Sequence, residues 1–370
     1  MDFRAGVQQQ LLAQTARAVL TRLCPPERAQ ALALDPRATA HDLWKEMATL
    51  GWTGLLVPPE HGGSGGSMLD VAALAEELGR ACAPGPYVAS AVIATALLAH
   101  PTAGASAARM LPGLATGDRI ATLALAEETG TVDLDAVRLR AAVPGRLTGT
   151  KLFVADAHVA TDLLVVFASA AGGLDVARIE VDRRGVTREM LDAITGDKLC
   201  AVRLDGVEVA PADLVAPSGG ARAAVAAALA AGALARTAEM VGAAQRVLEL
   251  CVEHARVRVQ SGRPIGAFQA VQHHCADIWR DVESSRWVLW DAAWRLAEGR
   301  PAETEIALAK AYAGEACLRA ARRGHQVMGA MGYCEEHPLH LLHKRILGAG
   351  LDAGDTAHHL EQIARAIGLA

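Results

Sequence analysis

The stretch Arg258-Val-Gln-Ser-Gly-Arg263-Pro-Ile-Gly266-Ala-Phe-Gln269-Ala-Val-Gln-His273 decides how this chain is read. It lies between two long segments of helical pattern, Thr237 to Val257 and Ala270 to Ala297, and a third follows from Glu303 to Gly324. Together these segments predict a helical bundle over residues 218–370. Upstream, residues 119–217 change to short β-rich runs such as Leu163-Leu-Val-Val-Phe167 and Val202 to Val209. Gly-Gly, Asp-Gly and Pro turns punctuate these runs, which predicts a small antiparallel sheet domain. Residues 1–118 return to helical spacing, as in Met68-Leu-Asp-Val-Ala-Ala-Leu-Ala-Glu-Glu-Leu78, and predict an all-helical domain. The fold class is therefore α+β, in the order helix, sheet, helix.

Composition narrows the function classes. The chain has 370 residues, is 52% hydrophobic, and carries a net charge of -5 with a pI near 6.2. No basic cluster suggests a nucleic-acid groove. The longest apolar run, Ala223 to Ala235, is shorter than the roughly 20 residues a bilayer requires, so a buried helix is expected and no membrane role. The start, Met1-Asp-Phe-Arg4, lacks an export signature, and a cytoplasmic location is expected. Seven cysteines stand singly without C-x-x-C spacing and read as reduced core thiols. Thirteen histidines include the pairs His273-His274 and His358-His359 but show no ligand spacing, so no metal is expected. Trp279, Trp287, Trp290 and Trp294 share one helical face, read as core or subunit interface rather than a ligand cage.

Four blocks in order carry a resemblance. The stretch from Arg258 to His273 and the later Gln326-Val-Met-Gly329-Ala-Met-Gly332 resemble signatures of the acyl-CoA dehydrogenase family. Pro59-Glu-His-Gly-Gly63-Ser-Gly65 resembles its N-terminal turn, and Gly149-Thr-Lys151-Leu-Phe153-Val resembles one of its strands. The resemblance implies an N-terminal helical domain, a middle antiparallel β domain and a C-terminal four-helix bundle. It also implies FAD, an acyl-CoA substrate, electron-transfer flavoprotein as oxidant, and a homo- or hetero-tetramer with a second chain of the same kind. Ala238-Glu239-Met-Val-Gly242 is similar to steroid-degrading actinobacterial members that assemble from two unlike chains, which points to a steroid side chain or other bulky acyl group.

Residue by residue, the resemblance places Arg258 on the FAD pyrophosphate, where a guanidinium fork suits phosphate. It places Gln269 on a second FAD contact, Gln326 and Gly329 against the adenosine half, and Phe153 over the flavin face. Two hydroxyl positions near the flavin ring are occupied by Ala126 and Ala155, and Ser261 replaces a phenylalanine that packs on the cofactor.

Desaturating a thioester between its α and β carbons requires a carboxylate base, a hydride-accepting cofactor and donors for the enolate oxygen. In the resembled family the base is a hairpin glutamate, and Ala353 stands there in Leu351-Asp-Ala353-Gly-Asp355. Its backbone N–H retains the capacity to donate to a thioester oxygen. The alternative base position, on the first long helix of the bundle, is Gly232. Glu239, seven residues along the same helix face, is the nearest carboxylate and the candidate catalytic base. It reads equally as a structural pair with Arg236 or a neighbouring subunit. Asp352 and Asp355 flank the vacant position as further candidates, while His358 and His359 are expected to cap or line an interface. Three functions fit: a dehydrogenase subunit using Glu239, a non-catalytic partner that completes another chain's FAD site, and a flavin oxidase or monooxygenase on the same fold.

Overall fold

In chain order the helices of the computed structural model are α1 (Val7–Leu23), α2 (Pro26–Leu34), α3 (His41–Thr49), α4 (Met68–Arg80), α5 (Thr95–Leu98), α6 (Ala105–Ala108), α7 (Leu111–Ala115), α8 (Arg222–Val257), α9 (Gln269–Ala297), α10 (Glu303–Met328), α11 (Leu339–Leu351) and α12 (Thr356–Ala366). The structure describes residues 6–35, 37–142 and 145–369. It gathers them into two compact units that cut across the sequence zones. One joins the chain up to Leu34 with Met68–Ala83 and with everything from Ala233 onward; the other joins Asp35–Ser67 to Pro84–Gly232.

The second unit holds two sheets. One has three strands in the order β1 (Ala121–Ala124), β4 (Asp162–Ala168), β5 (Leu174–Glu180); the other runs β2 (Ala141–Ala142), β3 (Arg146–Ala155), β7 (Leu199–Glu208), β6 (Val186–Leu191). The four-stranded sheet is antiparallel throughout, whereas β1 pairs with β4 in parallel, so the smaller sheet is mixed. A parallel pair needs a crossover, and the chain makes it through β2 and β3. The apolar run Leu163 to Phe167 is buried on both faces of β4, and with Leu147, Val154, Ile179, Val202 and Val207 it forms one hydrophobic core.

Lys151 lies in this unit with 0% exposure. Its ammonium donates to the Leu125 carbonyl at 2.9 Å and to Glu127 at 2.7 Å. Glu127 also accepts from the backbone N–H groups of Arg138 and Leu139, so one carboxylate gathers three segments of chain. Between Lys151 and Val154 the β3–β7 register shifts by one residue. This bulge puts Phe153 at φ 55, in the left-handed region, and leaves its ring 52% exposed.

The other unit is helical. In α4 the apolar positions Met68, Val71, Ala72, Leu74, Ala75 and Leu78 are buried, with Asp70 in the first turn and Arg80 in the last, as the helix dipole favours. The Ala-rich run noted in the sequence belongs to the 36-residue α8, whose most apolar stretch has a mean hydropathy of 1.4 and is 72% buried inside the protein. Length and composition alone would let α8 cross a membrane; its burial is that of a core helix.

Two glycines set the spacing of α4 and α8. A Cβ at Gly79 would fall 2.0 Å from the Glu239 carbonyl oxygen, and one at Gly242 would fall 1.7 Å from that of Glu76. The two helices therefore meet backbone to backbone, closer than side chains normally permit. Replacing Gly242 by Ala should destabilise the protein by about 3 kcal/mol or more, because the overlap is with main chain that cannot rotate away. At Gly350 an added Cβ would meet only Met240 Sδ, at 3.8 Å, so Gly350→Ala should be far milder. Denaturant midpoints of the two variants against the parent check this, and equal midpoints for both variants would contradict it.

Candidate active site and cofactor surface

The turn from Gly350 to Asp355 joins α11 to α12, and polar groups from three helices hold it. Lys310, on α10, is 1% exposed and donates to the carbonyls of Gly350 at 2.8 Å and Gly354 at 2.6 Å, gripping both ends of the turn. His359 bonds through Nε2 to the Ala353 carbonyl at 3.0 Å. A carbonyl only accepts, so Nε2 carries the proton and the imidazole is neutral. Asp355 caps α12 by accepting from the His358 N–H at 2.8 Å. These contacts impose φ 55 on Ala353, a left-handed conformation that disfavours a residue with a Cβ.

Burial sets the protonation of the turn's supports. It pushes the Lys310 ammonium down to about 8, against the attraction of Asp352. It pushes His359 down to about 4, with Lys310 adding repulsion. For Asp352 burial acts to raise the carboxyl, but the adjacent Arg236 guanidinium outweighs it and holds the group below the usual carboxylate range.

Glu239 is 2% exposed, and both of its oxygens are engaged. Arg236 Nη1 donates to Oε2 at 2.7 Å and Arg345 Nη2 donates to Oε1 at 3.1 Å. Arg236 turns its Nε to Asp352 Oδ2 at 2.7 Å, and Arg345 Nη2 also donates to the Ala83 carbonyl. This is the structural pair of the two roles expected for Glu239, made with Arg236 and a second arginine from α11. Both oxygens are thus engaged in charge-assisted bonds. Asp352 is engaged likewise, and its Oδ1 accepts from the Ala353 N–H at 2.8 Å, so the backbone donor expected to meet a thioester oxygen already has a partner.

The residues expected to meet the cofactor stand differently. Between Gln260 and Arg263 the chain makes a two-residue hairpin, with φ 51 at Ser261 and φ 79 at Gly262. Positive φ at both central residues is the type I′ turn whose twist suits a tight hairpin, which accounts for Ser-Gly there. Arg258 precedes the hairpin and Gln269 opens α9 after it; both are exposed, as is Gln326. None of these three side chains bonds to another described residue of the chain. Gly329 ends α10 at φ 64 and ψ -146, a conformation open to glycine, and no atom lies within 4 Å of where its Cβ would be. An uncommitted guanidinium, two uncommitted amides and a bare backbone are groups of the kind that suit a pyrophosphate and an adenosine. Phe153 belongs to the β unit, exposed on its bulge.

Sequence reasoning missed Lys310, Arg345 and the bonding role of His359. Lys310 had a signal: it falls in the buried stripe of α10 with Ile306, Ala313 and Cys317, where a charge is out of place. Of the tryptophan face, expected to be core or subunit interface, Trp279 is 58% and Trp287 44% exposed, so these two lie outside the core of the chain. Trp290 Nε1 donates to Glu76 at 3.1 Å, and Trp294 receives Arg300 over its ring.

The low Lys310 value has a thermodynamic sign. Its folded-state pKa of about 8 lies below the ordinary 10.5, so between those values the unfolded chain holds a proton that the folded chain has released. Its contribution to stability therefore rises with pH across that window, by at most roughly 3 kcal/mol. Unfolding free energies of the parent and Lys310→Met, measured from pH 7 to 10.5, should diverge in favour of the parent above pH 8. A constant difference would show that Lys310 does not titrate there.

Comparison with known proteins agrees with this architecture. The family model "acyl-CoA dehydrogenase, N-terminal domain" matches residues 7–118, and "acyl-CoA dehydrogenase, C-terminal domain" matches residues 218–368. The acyl-CoA dehydrogenase IpdE2 of Mycobacterium tuberculosis is 31% identical over 343 residues, 92% of each chain. FadE27 of the same organism is 32% identical over 350 residues, 92% of this chain and 91% of that one. Among solved structures, the ChsE4–ChsE5 complex from Mycobacterium tuberculosis superposes over 100% of both chains with a TM-score of 0.90 at 30% identity. A steroid ACAD variant covers 99% of each chain with a TM-score of 0.87 at 28% identity. With both terminal domains matched, its fold shared and its motif blocks in order, the chain belongs to the acyl-CoA dehydrogenase family.

Proposed function

We propose that this chain is one half of an FAD-dependent acyl-CoA dehydrogenase, working in the cytoplasm with a second, unlike chain that supplies the catalytic carboxylate. The observation that carries this reading is the commitment of every nearby carboxylate. Glu239 is held by Arg236 and Arg345, Asp352 by Arg236 and the Ala353 N–H, and Asp355 by the start of α12. Ala353 itself offers a methyl group. A chain whose three candidate carboxylates are committed, but whose Arg258, Gln269 and Gln326 have no partner among the described residues, suits the role of completing a neighbour's cofactor site.

FAD, when bound, would accept the hydride from the β carbon. Arg258 would hold its pyrophosphate through the guanidinium fork, and Gln269, Gln326 and the bare backbone at Gly329 would meet the adenosine half. Phe153, presented by the β-bulge, would cover an aromatic ring. The resemblance of the chain to IpdE2 and to a steroid ACAD supports a bulky acyl-CoA, such as a steroid side-chain thioester, as substrate. Its likeness to a two-component complex supports the unlike partner. Electron-transfer flavoprotein is the oxidant that the family membership suggests.

The deciding experiment is flavin content. Purified alone, the chain should hold little FAD; co-purified with the partner dehydrogenase chain, it should yield one FAD per pair. One FAD per chain in the isolated protein would overturn the proposal. In the assembled enzyme, Arg258→Ala should lower FAD retention. Glu239→Gln should leave turnover within about tenfold of the parent, whereas loss of a general base removes on the order of 10² to 10⁴. A loss in that range with FAD still bound would restore Glu239 as the base.

A further inference from the structure

The chain leaves α10 through the short 3-10 turn Gly329–Tyr333 and doubles back against the helix it has just left. Gly332 is buried in this turn, and a Cβ on it would fall 2.9 Å from Leu339 Cδ2 and 3.0 Å from Met328 Cβ, so the backbone packs where no side chain fits. The return brings the ring of Tyr333 onto the ring of His325, with centroids 4.5 Å and planes 25° apart. Tyr333 is nevertheless 72% exposed, and Met331, two residues earlier, is 45% exposed. The tyrosine hydroxyl bonds to no other described residue.

His325 makes a firm backing for that ring. It lies in the last turn of α10, is 5% exposed, and its Nε2 stands 2.9 Å from His343 Nδ1 on α11. A proton shared between those two nitrogens fixes the plane of the imidazole on which Tyr333 rests. One face of the tyrosine is thus occupied by a buried ring, while most of its remaining surface meets solvent. An aromatic ring held flat at the surface in this way is what stacking of a planar heterocycle requires.

The ring stands at the same helix end as two groups already described. Gln326 follows His325 directly and its exposed amide has no partner among the described residues, and three residues on Gly329 has nothing within 4 Å of where its Cβ would be. An amide that both donates and accepts, a backbone open to close approach and a fixed aromatic plate complement the polar edge, the sugar and the π-face of an adenosine. We propose that Tyr333 is the plate on which the adenine of the shared FAD stacks. The inference rests on the reading that this chain completes a neighbour's FAD site, and it adds to that site a contact with the face of the base. Base stacking on an aromatic side chain contributes roughly 5- to 150-fold in affinity when it is removed by alanine substitution.

The test uses the two-chain assembly stripped of flavin, with FAD binding followed by flavin fluorescence and ADP as competitor, so that no turnover is measured. Tyr333→Ala should weaken both FAD and ADP by roughly 5- to 150-fold while the mass of the assembly stays that of the parent. Tyr333→Phe, which keeps the ring and loses the hydroxyl, should bind both within about twofold of the parent. Arg258→Ala serves as the control for the site itself. If Arg258→Ala weakens FAD and Tyr333→Ala does not, the plate is disproved and the shared site stands; if neither variant weakens FAD, the shared site fails with it. Separation of the two chains in Tyr333→Ala, or a loss in Tyr333→Phe as large as in Tyr333→Ala, also overturns the proposal, because the ring would then serve the interface or act through its hydroxyl.

Discussion

The contact between the backbones of α4 and α8 is the constraint on which the helical unit depends. At Gly79 and Gly242 the two main chains approach so closely that a methyl group on either side would collide with a carbonyl. Glu239 lies at that approach and is 2% exposed. A buried carboxylate needs partners, and they come from Arg236 one turn earlier and Arg345 on another helix. Arg236 then reaches Asp352, whose second oxygen fixes the Ala353 N–H. The state of the vacant base position is thus a downstream effect of two glycines on helices remote from it in sequence.

This chain of charges separates a family resemblance from a catalytic assignment. The hairpin that carries the proton acceptor in related enzymes is present, braced by Lys310 and His359. Its polar groups face one another rather than a substrate. Around the hairpin after α8, and at Gln326 near the end of α10, the reverse holds: Arg258, Gln269 and Gln326 have no partner among the described residues of their own chain. One region has closed on itself and the other is open for an external group. Such an asymmetry supports the proposed role of a subunit that contributes binding surface more than proton transfer.

Much of this was legible in the sequence, and for identifiable reasons. Motif blocks such as Arg258 to His273 encode local geometry, a tight hairpin and a helix start, and local geometry follows from local residues. The same holds for the apolar spacing of α4 and the unbroken run of β4. What escaped were pairings made across the fold. Glu239 read as a base or a structural pair with equal ease, because the deciding partner, Arg345, lies more than a hundred positions away on another helix. Lys310 looked like one lysine among several until the carbonyls of Gly350 and Gly354 were placed at its tip. The parallel pairing of β1 with β4 escaped for the same reason, since strand direction within a sheet depends on a crossover and not on the strand's own residues.

The turn around Ala353 has one more implication. Its left-handed backbone is held by Lys310, His359 and Asp352 through bonds to main-chain atoms, so the shape owes nothing to the side chain at position 353. A scaffold of that kind is held independently of the side chain it displays. The identity at the reactive position can drift while the loop stays put, which makes loss of a proton acceptor there an inexpensive evolutionary step and its recovery a single-codon event. Subunits that divide a reaction between them can arise from such duplicated scaffolds without any change of architecture.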